Sequence, residues 1–225
     1  MIDNFPLDRQ WICPTNNYAK EMNLRFHVLR KANIPDEYNL GSIGAITEVD
    51  LEIPESNHVT YLTSAQRFDF VSSWTFPDLP DPSIDLQIGQ PMTLMRNLNT
   101  HEGIVKNRRC WIIARGQQTV TVRFEDNHER VIPRIAFNTE TNGIKFTRTQ
   151  IPFKPLYAGT IHKSQGLTLN RVVIDMRSKF WEHGQLYVAL SRVKDPKNLC
   201  ILLPKIEEDG DEMIIPIVDK EIVKL

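Results

Sequence analysis

The chain has 225 residues, 41% of them hydrophobic and 24% charged, with 27 basic against 28 acidic side chains. These values are typical of a soluble globular protein made of one domain with a small insert, and they argue against a basic nucleic-acid coat protein. No apolar run reaches the roughly 20 residues of a membrane helix, and the start MIDNFPLDRQ has no secretory core, so we expect an intracellular protein with no membrane partner.

The first third of the chain predicts a strand and a helix followed by short pieces. Residues 10–15 have the apolar pattern of a strand, and Asn16 is placed to cap a helix that continues to about Leu29. From residue 31 to 82, scattered glycines and prolines interrupt every regular pattern.

The remainder changes from an all-β to an α/β pattern. Residues 86–149 contain short strands separated by polar turns, which predicts a small barrel. From residue 155 to 204, a strand, a polar turn, a strand, a helix and a strand follow one another. That order predicts an open α/β sheet with polar residues at the strand ends, where ligands bind in such sheets.

Metal-ligating residue types do not cluster in the sequence. Cys13, Cys110 and Cys200 lie in apolar strand-like contexts without C-x-x-C spacing, which predicts buried, reduced thiols. No two of the six histidines have the spacing of a ligand pair. We therefore expect no metal held by the protein alone.

Two polar clusters in the last third give the strongest indication of function. The first, TIHKSQG at 160–166, follows a strand-like stretch and turns abruptly from apolar to polar. The second, QLYVALSR at 185–192, spaces its apolar residues as the buried stripe of a helix. Between them, residues 171–176 form a short apolar run typical of a strand covered on both faces.

These clusters resemble motifs V and VI of superfamily-one DNA helicases, most closely the Pif family and its transposon-borne Helitron relatives. Residues 86–98, LQIGQPMTLMRNL, are similar to the start of a small barrel that is inserted in the family's second motor domain. Residues 131–135 and 150–153 fit that insertion and its exit, and 11–16 with 22–23 resemble the strand and helix that open the motor domain.

The resemblance implies a RecA-like second motor domain, with a parallel sheet and flanking helices, carrying an inserted small all-β barrel. Residues 1–85 are then the first part of the motor domain, 86–152 the barrel, and 153–225 the second part. The chain is expected to be the C-terminal region of an ATP-dependent DNA helicase, and nuclear if the host is a eukaryote.

One motif of ATP-dependent helicases is absent from this sequence. No G-x-x-x-x-G-K-[ST] phosphate loop occurs in it. Asp175 ends an apolar run but is followed by Met176 rather than a second acid, so we interpret it as a strand-end residue and not a magnesium ligand. ATP and Mg²⁺ are expected to be held mainly by an N-terminal motor domain, which with single-stranded DNA is the expected partner. The chain alone is expected not to hydrolyse ATP.

Gripping a single strand needs hydrogen-bond donors to phosphate oxygens and a platform for the bases. By resemblance to motif V, the predicted contacts with DNA are Thr160, His162, Lys163 and Thr168. Gln165 and Gly166 are expected nearer the nucleotide cleft, where a glycine allows close backbone approach.

By resemblance to motif VI, Arg192 is expected to be the arginine finger that reaches the γ-phosphate. Such a finger accelerates turnover by about 10³ to 10⁵ in related chemistry. Gln185 precedes it by seven residues, so on one helix both side chains point into the same cleft. Taken alone, Arg192 is better explained as an exposed arginine at a helix end that compensates the dipole, and it is the surrounding QLYVALSRV that favours the finger.

One loop departs from the family pattern. Where relatives carry a glycine-and-cysteine turn after the first strand of the barrel, this chain has GIVKNRR at 103–109. We hypothesise that Lys106, Arg108 and Arg109 contact the phosphates of the strand, the alternative being a solvated loop.

Two other functions remain open at this point. One is a catalytically incomplete nucleic-acid-binding module derived from a helicase, whose binding ignores ATP. The other is the corresponding part of a RecD-like relaxase-helicase.

Overall fold

The computed structural model describes residues 9–49, 63–73, 76, 79–141, 144–164, 169–177 and 184–203. The chain divides into two compact units, Met1–Asn33 with Leu156–Leu225, and Ile34–Pro155. We call the first the parallel unit and the second the antiparallel unit, after their sheets. Within the described ranges, no helix combines the length and the apolar character that crossing a membrane requires.

The chain forms fourteen strands and four α-helices in the described ranges, with two short 3-10 helices at Asp36–Tyr38 and Pro196–Asn198. In chain order they are β1 (Arg9–Cys13), α1 (Asn16–Asn33), β2 (Asn39–Gly44), β3 (Ile46–Val49), α2 (Ser64–Ser73), β4 (Ser83–Gln87), β5 (Pro91–Leu94), β6 (Arg109–Arg115), β7 (Thr119–Phe124), β8 (Glu129–Pro133), β9 (Ile135–Thr141), β10 (Ile144–Gln150), β11 (Phe153–Pro155), β12 (Ala158–Thr160), α3 (Ile161–Ser164), β13 (Arg171–Asp175), α4 (Gln185–Leu190) and β14 (Leu199–Leu202).

The parallel unit is built on one four-stranded sheet with strand order β12-β1-β13-β14. All three pairings are parallel, and the centre of β1 lies between Ala158 of β12 and Val173 of β13. The apolar run predicted at 171–176 is buried from Val172 to Met176, as a strand covered on both faces requires. The prediction of a parallel α/β sheet is therefore confirmed.

Helix α1 covers one face of this sheet. Ala19, Met22 and Phe26 are buried and pack with Tyr157 and Ala158, at the i, i+3, i+7 spacing of one helix face. The cap differs from the prediction by one residue. Asn16 is the first helical residue, and the hydroxyl of Thr15 accepts a hydrogen bond from the N–H of Tyr18 at 3.3 Å.

Helix α4 is shorter than the sequence predicted. It ends at Leu190, and Ser191 is its C-terminal cap. The predicted stripe is present, since Ala189 is fully buried and Leu186 and Leu190 pack partly buried against the sheet. Arg192, however, lies beyond the helix, so the prediction that it shares a helical face with Gln185 is wrong.

The antiparallel unit contains three sheets in the described ranges. They have the orders β11-β5-β6-β7-β8, β3-β10-β9 and β2-β4. Alternate residues of β7, Val120, Val122 and Phe124, are buried in its core, which is the pattern of a sheet with one solvated face. The predicted all-β character is confirmed, whereas closure into a barrel is not, since the five-stranded sheet has β11 and β8 at its edges.

The compact units have different bounds from the predicted domains. The all-β part was predicted at 86–152, whereas the antiparallel unit spans Ile34–Pro155. The difference arises because β2 and β3 pair with β4 and β10, strands far along the chain. Such long-range pairing is not visible in the broken pattern of residues 31–82.

The cysteines differ in their surroundings. Cys13 and Cys110 are buried, as predicted, and burial raises the pKa of both thiols, that of Cys13 to about 12 with a further contribution from the charge of Asp175. Cys200 is exposed on β14, so the prediction that it is buried is wrong. The other three residues of β14 are half-buried, so this strand at the end of the sheet order is less covered than its apolar sequence suggests.

Candidate nucleic-acid interface

The first polar cluster lies where β12 ends and the short helix α3 begins. Ile161 and Ser164 are buried, and His162 and Lys163 between them are exposed. The hydroxyl of Ser164 donates to the carbonyl of Thr160 at 3.1 Å, which ties the turn to the end of the strand. One helical turn therefore directs an imidazole and an ammonium group to solvent at the carboxyl edge of the parallel sheet.

The other predicted contacts of this cluster are less exposed or outside the described residues. Thr160 is only 3% exposed, as the last residue of β12. Thr168, Gln165 and Gly166 lie outside the described residues, so their predicted roles stay predictions. His162 and Lys163 are thus the members of the cluster that the structure presents to a ligand.

Asp175 is fully buried at the same edge, as the last residue of β13. It accepts hydrogen bonds from the Tyr18 hydroxyl at 3.0 Å and from Nε and Nη2 of Arg177 at 2.9 and 2.6 Å. Burial opposes the charge, but the hydrogen bonds and charge of Arg177 outweigh it and lower the pKa of the carboxyl group. The interpretation of Asp175 as a strand-end residue is confirmed.

The partners of Asp175 were missed at the sequence level. Tyr18 reaches it from α1, across 157 residues of chain, and only the tertiary fold brings them together. Arg177 follows Asp175 by two residues, and its guanidinium carbon lies 6.0 Å from the centre of the Trp11 ring. The position of Arg177, two residues after the predicted strand-end acid, was the local signal for this ion pair.

Arg192 lies beside the opposite, amino edge of β13. Its backbone carbonyl accepts a hydrogen bond from the N–H of Leu169 at 2.8 Å, and Leu169 forms a parallel bridge with Val193. The half-buried guanidinium donates from Nε to the carbonyl of Val188 at 3.0 Å and from Nη2 to the hydroxyl of Ser191 at 2.8 Å. Its side chain is therefore folded back over the end of α4.

Gln185 lies at the other end of α4. It is the first helical residue, half-buried, and follows Gly184, whose φ of 81° is a left-handed conformation that glycine adopts without strain. The structure does not bring Gln185 and Arg192 to one helical face, because α4 ends before Arg192.

The basic loop of the antiparallel unit is largely engaged within that unit. Nη2 of Arg108 lies 2.6 Å from Oδ2 of Asp126, Nη1 donates to the carbonyl of Gly103 at 2.8 Å, and the guanidinium stacks 4.3 Å above the Phe124 ring. Hydrogen bonds from His128 and Arg108 outweigh desolvation and lower the pKa of Asp126 to about 2. Lys106 is exposed.

Arg109 is only 5% exposed, within strand β6. Nη1 lies 3.8 Å from Oε1 of Glu125, and the guanidinium carbon lies 5.4 Å from the centre of the Trp111 ring. A contact between Arg109 and a nucleic acid would require this side chain to leave its buried position. Of the three cations in the loop, Lys106 is the one whose side chain faces solvent.

Comparisons with known proteins find similarity to DNA helicases. A herpes helicase family model, described as Helicase, matches residues 154–215. ATP-dependent DNA helicase PIF1 of Homo sapiens is 33% identical over 123 residues, 53% of this chain and 19% of that protein. ATP-dependent DNA helicase Pif1 of Campylobacter jejuni is 53% identical over 57 residues, 25% of this chain and 12% of that protein.

A solved structure of Pif1 helicase from Bacteroides in complex with ADP-AlF3 and ssDNA matches with a TM-score of 0.61 at 21% identity. The match covers 92% of this chain and 43% of that chain. The predicted resemblance to Pif-type helicases is thereby confirmed, as is the RecA-like α/β fold. The chain spans about a fifth of the human relative and under half of the Bacteroides chain.

Proposed function

We propose that this chain is the C-terminal region of an ATP-dependent DNA helicase that grips single-stranded DNA. In this proposal the parallel unit is the second motor domain and the antiparallel unit is its insertion. The main support is the exposed pair His162 and Lys163 on a one-turn helix at the carboxyl edge of a parallel sheet. Ligands bind at this edge in open α/β sheets.

The pair has the chemistry of a phosphate contact. Lys163 supplies a point charge with three donors, and His162 supplies a donor and a flat ring on which a base can stack. The buried Ile161 and Ser164 fix the turn, so little backbone freedom is lost when DNA binds. The single-stranded DNA in the Bacteroides complex is consistent with this class of ligand.

The residues of this chain provide only part of a site for ATP and Mg²⁺. The sequence has no phosphate loop, and the carboxylate of Asp175 is engaged by Tyr18 and Arg177. The chain's own contribution is the guanidinium of Arg192, which in this proposal stabilises the negative charge that develops on the phosphoryl group transferred from ATP. The nucleotide and Mg²⁺ are held by a first motor domain whose phosphate loop these 225 residues do not include.

Two measurements test the proposal. Fluorescence anisotropy with a labelled oligothymidylate of about 16 nucleotides, a length that covers one binding site, measures strand binding by the chain. ATP hydrolysis is then measured for the chain alone and together with a separately expressed first motor domain. We expect strand binding by the chain, and hydrolysis that depends on both parts.

The outcomes separate the candidate functions. Absence of strand binding at low salt overturns the proposal. ATP hydrolysis by the chain alone overturns the incomplete-motor part of it. Binding that is unaffected by ATP in the presence of the first domain favours the alternative, a nucleic-acid-binding module without catalysis.

A further inference from the structure

The side chain of Asn23, on α1, makes four hydrogen bonds. Nδ2 donates to the carbonyl of Ala158 at 2.7 Å and to that of Ala19 at 2.8 Å. Oδ1 accepts from the N–H of Tyr157 at 2.7 Å and from that of Ala158 at 3.0 Å. Both donors and both acceptor sites of the amide are thus used. Three of the four bonds are made with Tyr157 and Ala158, where β12 begins.

The position of β12 explains why such a side chain is needed. This strand has three residues and lies at one end of the sheet order, with β1 as its neighbour. The N–H and C=O of Ala158 point away from β1, where an edge strand has no partner strand. The Asn23 amide meets both groups, as the peptide group of another strand would.

We propose that Asn23 is a positioning residue for the strand-binding turn, an inference that rests on the proposed function. Ala158 precedes His162 by four residues and Lys163 by five, with only Gly159, Thr160 and Ile161 between Ala158 and His162. Fixing the backbone of Ala158 therefore fixes the start of α3. Among the described strands, β12 pairs only with β1, so this short strand depends on the amide of Asn23 for the position of its other side. The amide thereby sets where the imidazole and ammonium groups lie.

The chemistry of an amide is essential to this role. In an Asn23→Asp variant the oxygen that replaces Nδ2 faces the carbonyl oxygens of Ala158 and Ala19, two acceptors, so attraction becomes repulsion. In Asn23→Ala the N–H groups of Tyr157 and Ala158 lose their acceptor. Both variants free β12 on its outer side, although the apolar face of α1 that packs on the sheet is unchanged.

Two control variants separate positioning from general stability. Asn33→Ala removes the same type of bond within α1, since Nδ2 of Asn33 donates to the carbonyl of Leu29 at 2.7 Å. Met22→Ala removes a buried side chain, 5% exposed, from the core between α1 and the sheet, and so lowers stability without touching the backbone of β12 by hydrogen bonding.

The full chain and its variants are compared at a temperature where circular dichroism shows each to be folded. We expect Asn23→Ala and Asn23→Asp to weaken binding of the labelled oligothymidylate on the order of tenfold, the equivalent of one net hydrogen bond. Amide hydrogen exchange, followed by mass spectrometry, should accelerate in residues 157–163. Asn33→Ala should change neither quantity, and Met22→Ala should lower the melting temperature while leaving the affinity unchanged.

The inference is overturned if Asn23→Ala binds as tightly as the parent chain, or if Met22→Ala loses as much affinity at an equal loss of melting temperature. A parent chain that does not bind the oligothymidylate overturns the proposed function instead. In that case the exchange measurement still decides the positioning: unchanged exchange in residues 157–163 of Asn23→Ala refutes it, and faster exchange there supports it.

Discussion

The backbone N–H of Leu169 donates to the carbonyl of Arg192 at 2.8 Å, so the residue that leads into β13 is joined to the candidate arginine finger. Leu169 directly follows the segment 165–168, which contains the predicted contacts Gln165, Gly166 and Thr168. Leu169 also forms a parallel bridge with Val193. The chain that enters β13 and the chain that follows α4 are therefore held together by a hydrogen bond and a bridge.

Replacing Arg192 by alanine should lower ATP hydrolysis by the chain with a first motor domain by about 10³-fold. Lysine should not restore the activity, because its point charge cannot reproduce the planar fork of a guanidinium. Strand binding should be unchanged in both variants. Steady-state hydrolysis and anisotropy measure the two effects.

The matched control for Arg192 is Lys194→Ala, which removes an exposed cation two residues further along the same loop. It should leave hydrolysis unchanged. Equal losses in the two variants would mean that general positive charge at this edge matters, and that Arg192 is not a finger.

Of the exposed pair His162 and Lys163, Lys163 should contribute to the salt dependence of strand binding. For single strands, each phosphate contact contributes about 0.7 to the slope of log K against log salt concentration. Lys163→Gln should therefore reduce the slope by about 0.7, whereas His162→Ala should weaken binding mainly through lost stacking. Lys31→Gln, an exposed cation at the far end of α1, is the control. An unchanged slope for Lys163→Gln would remove this residue from the interface.

Two variants in the basic loop of the antiparallel unit should have different effects, one on strand binding and one on stability. On the hypothesis that the exposed Lys106 contacts a phosphate, Lys106→Gln should reduce the salt slope by about 0.7. Arg108→Gln should instead lower stability by about 1–2 kcal/mol, because it breaks the bonds to Asp126 and Gly103 and the contact with Phe124. Salt titrations and urea unfolding separate the effects. A slope lowered by Arg108→Gln at unchanged stability would show that this guanidinium leaves Asp126 for the strand.

The cysteines should differ in reactivity because the thiolate is the reactive form. Cys200 is exposed, whereas burial raises the pKa of Cys13 and Cys110. A thiol reagent at neutral pH should modify Cys200 in the folded chain and the other two only after unfolding. Mass spectrometry of the labelled peptides measures this, with Cys200→Ser as the control. Rapid labelling of Cys13 in that variant would mean that the sheet opens locally at β1.

Sequence patterns were sufficient where a residue's role depends on its neighbours in the chain. The apolar run at 171–176 predicted strand β13. The abrupt change from apolar to polar residues at 160–166 predicted a turn that presents His162 and Lys163. They were insufficient where the role depends on distant partners. The sequence predicted that the cations of the loop 103–109 point to solvent or to DNA, but Arg108 contacts Asp126 and Phe124 in the fold. The hydrogen bonds between Asn23 and Ala158 join residues 135 positions apart.

The error at α4 has both a local and a tertiary part. The spacing of apolar residues continues through Val193, so periodicity alone extends the helix past Arg192. The local signal against this was Pro196, because a helix through Arg192 would need an N–H at residue 196 to bond the carbonyl of Arg192, and proline has none. The tertiary part is the N–H of Leu169, which bonds that carbonyl in the structure and which the sequence pattern does not show.

Asp175 should contribute a stability that depends on acid pH. Its pKa is lowered in the folded chain by Arg177 and Tyr18, from an ordinary value of 3.8. The folded state therefore binds fewer protons than the unfolded state near this pH, so the contribution is complete above about pH 5 and is lost as the pH falls through the folded pKa. Asp175→Asn should lower the free energy of unfolding at neutral pH by about 1–3 kcal/mol, towards the lower end because the Arg177 side chain is 46% exposed.

Urea unfolding of the parent chain and Asp175→Asn from about pH 7 down to about pH 3 measures this contribution. The difference between the two chains should be constant at neutral pH and shrink in acid. Tyr18→Phe is the control, since it removes the hydroxyl at 3.0 Å but keeps the ion pair, and should cost less than Asp175→Asn. A difference that stays constant into acid would mean that the carboxylate is not held by its charge, and that packing alone explains the loss.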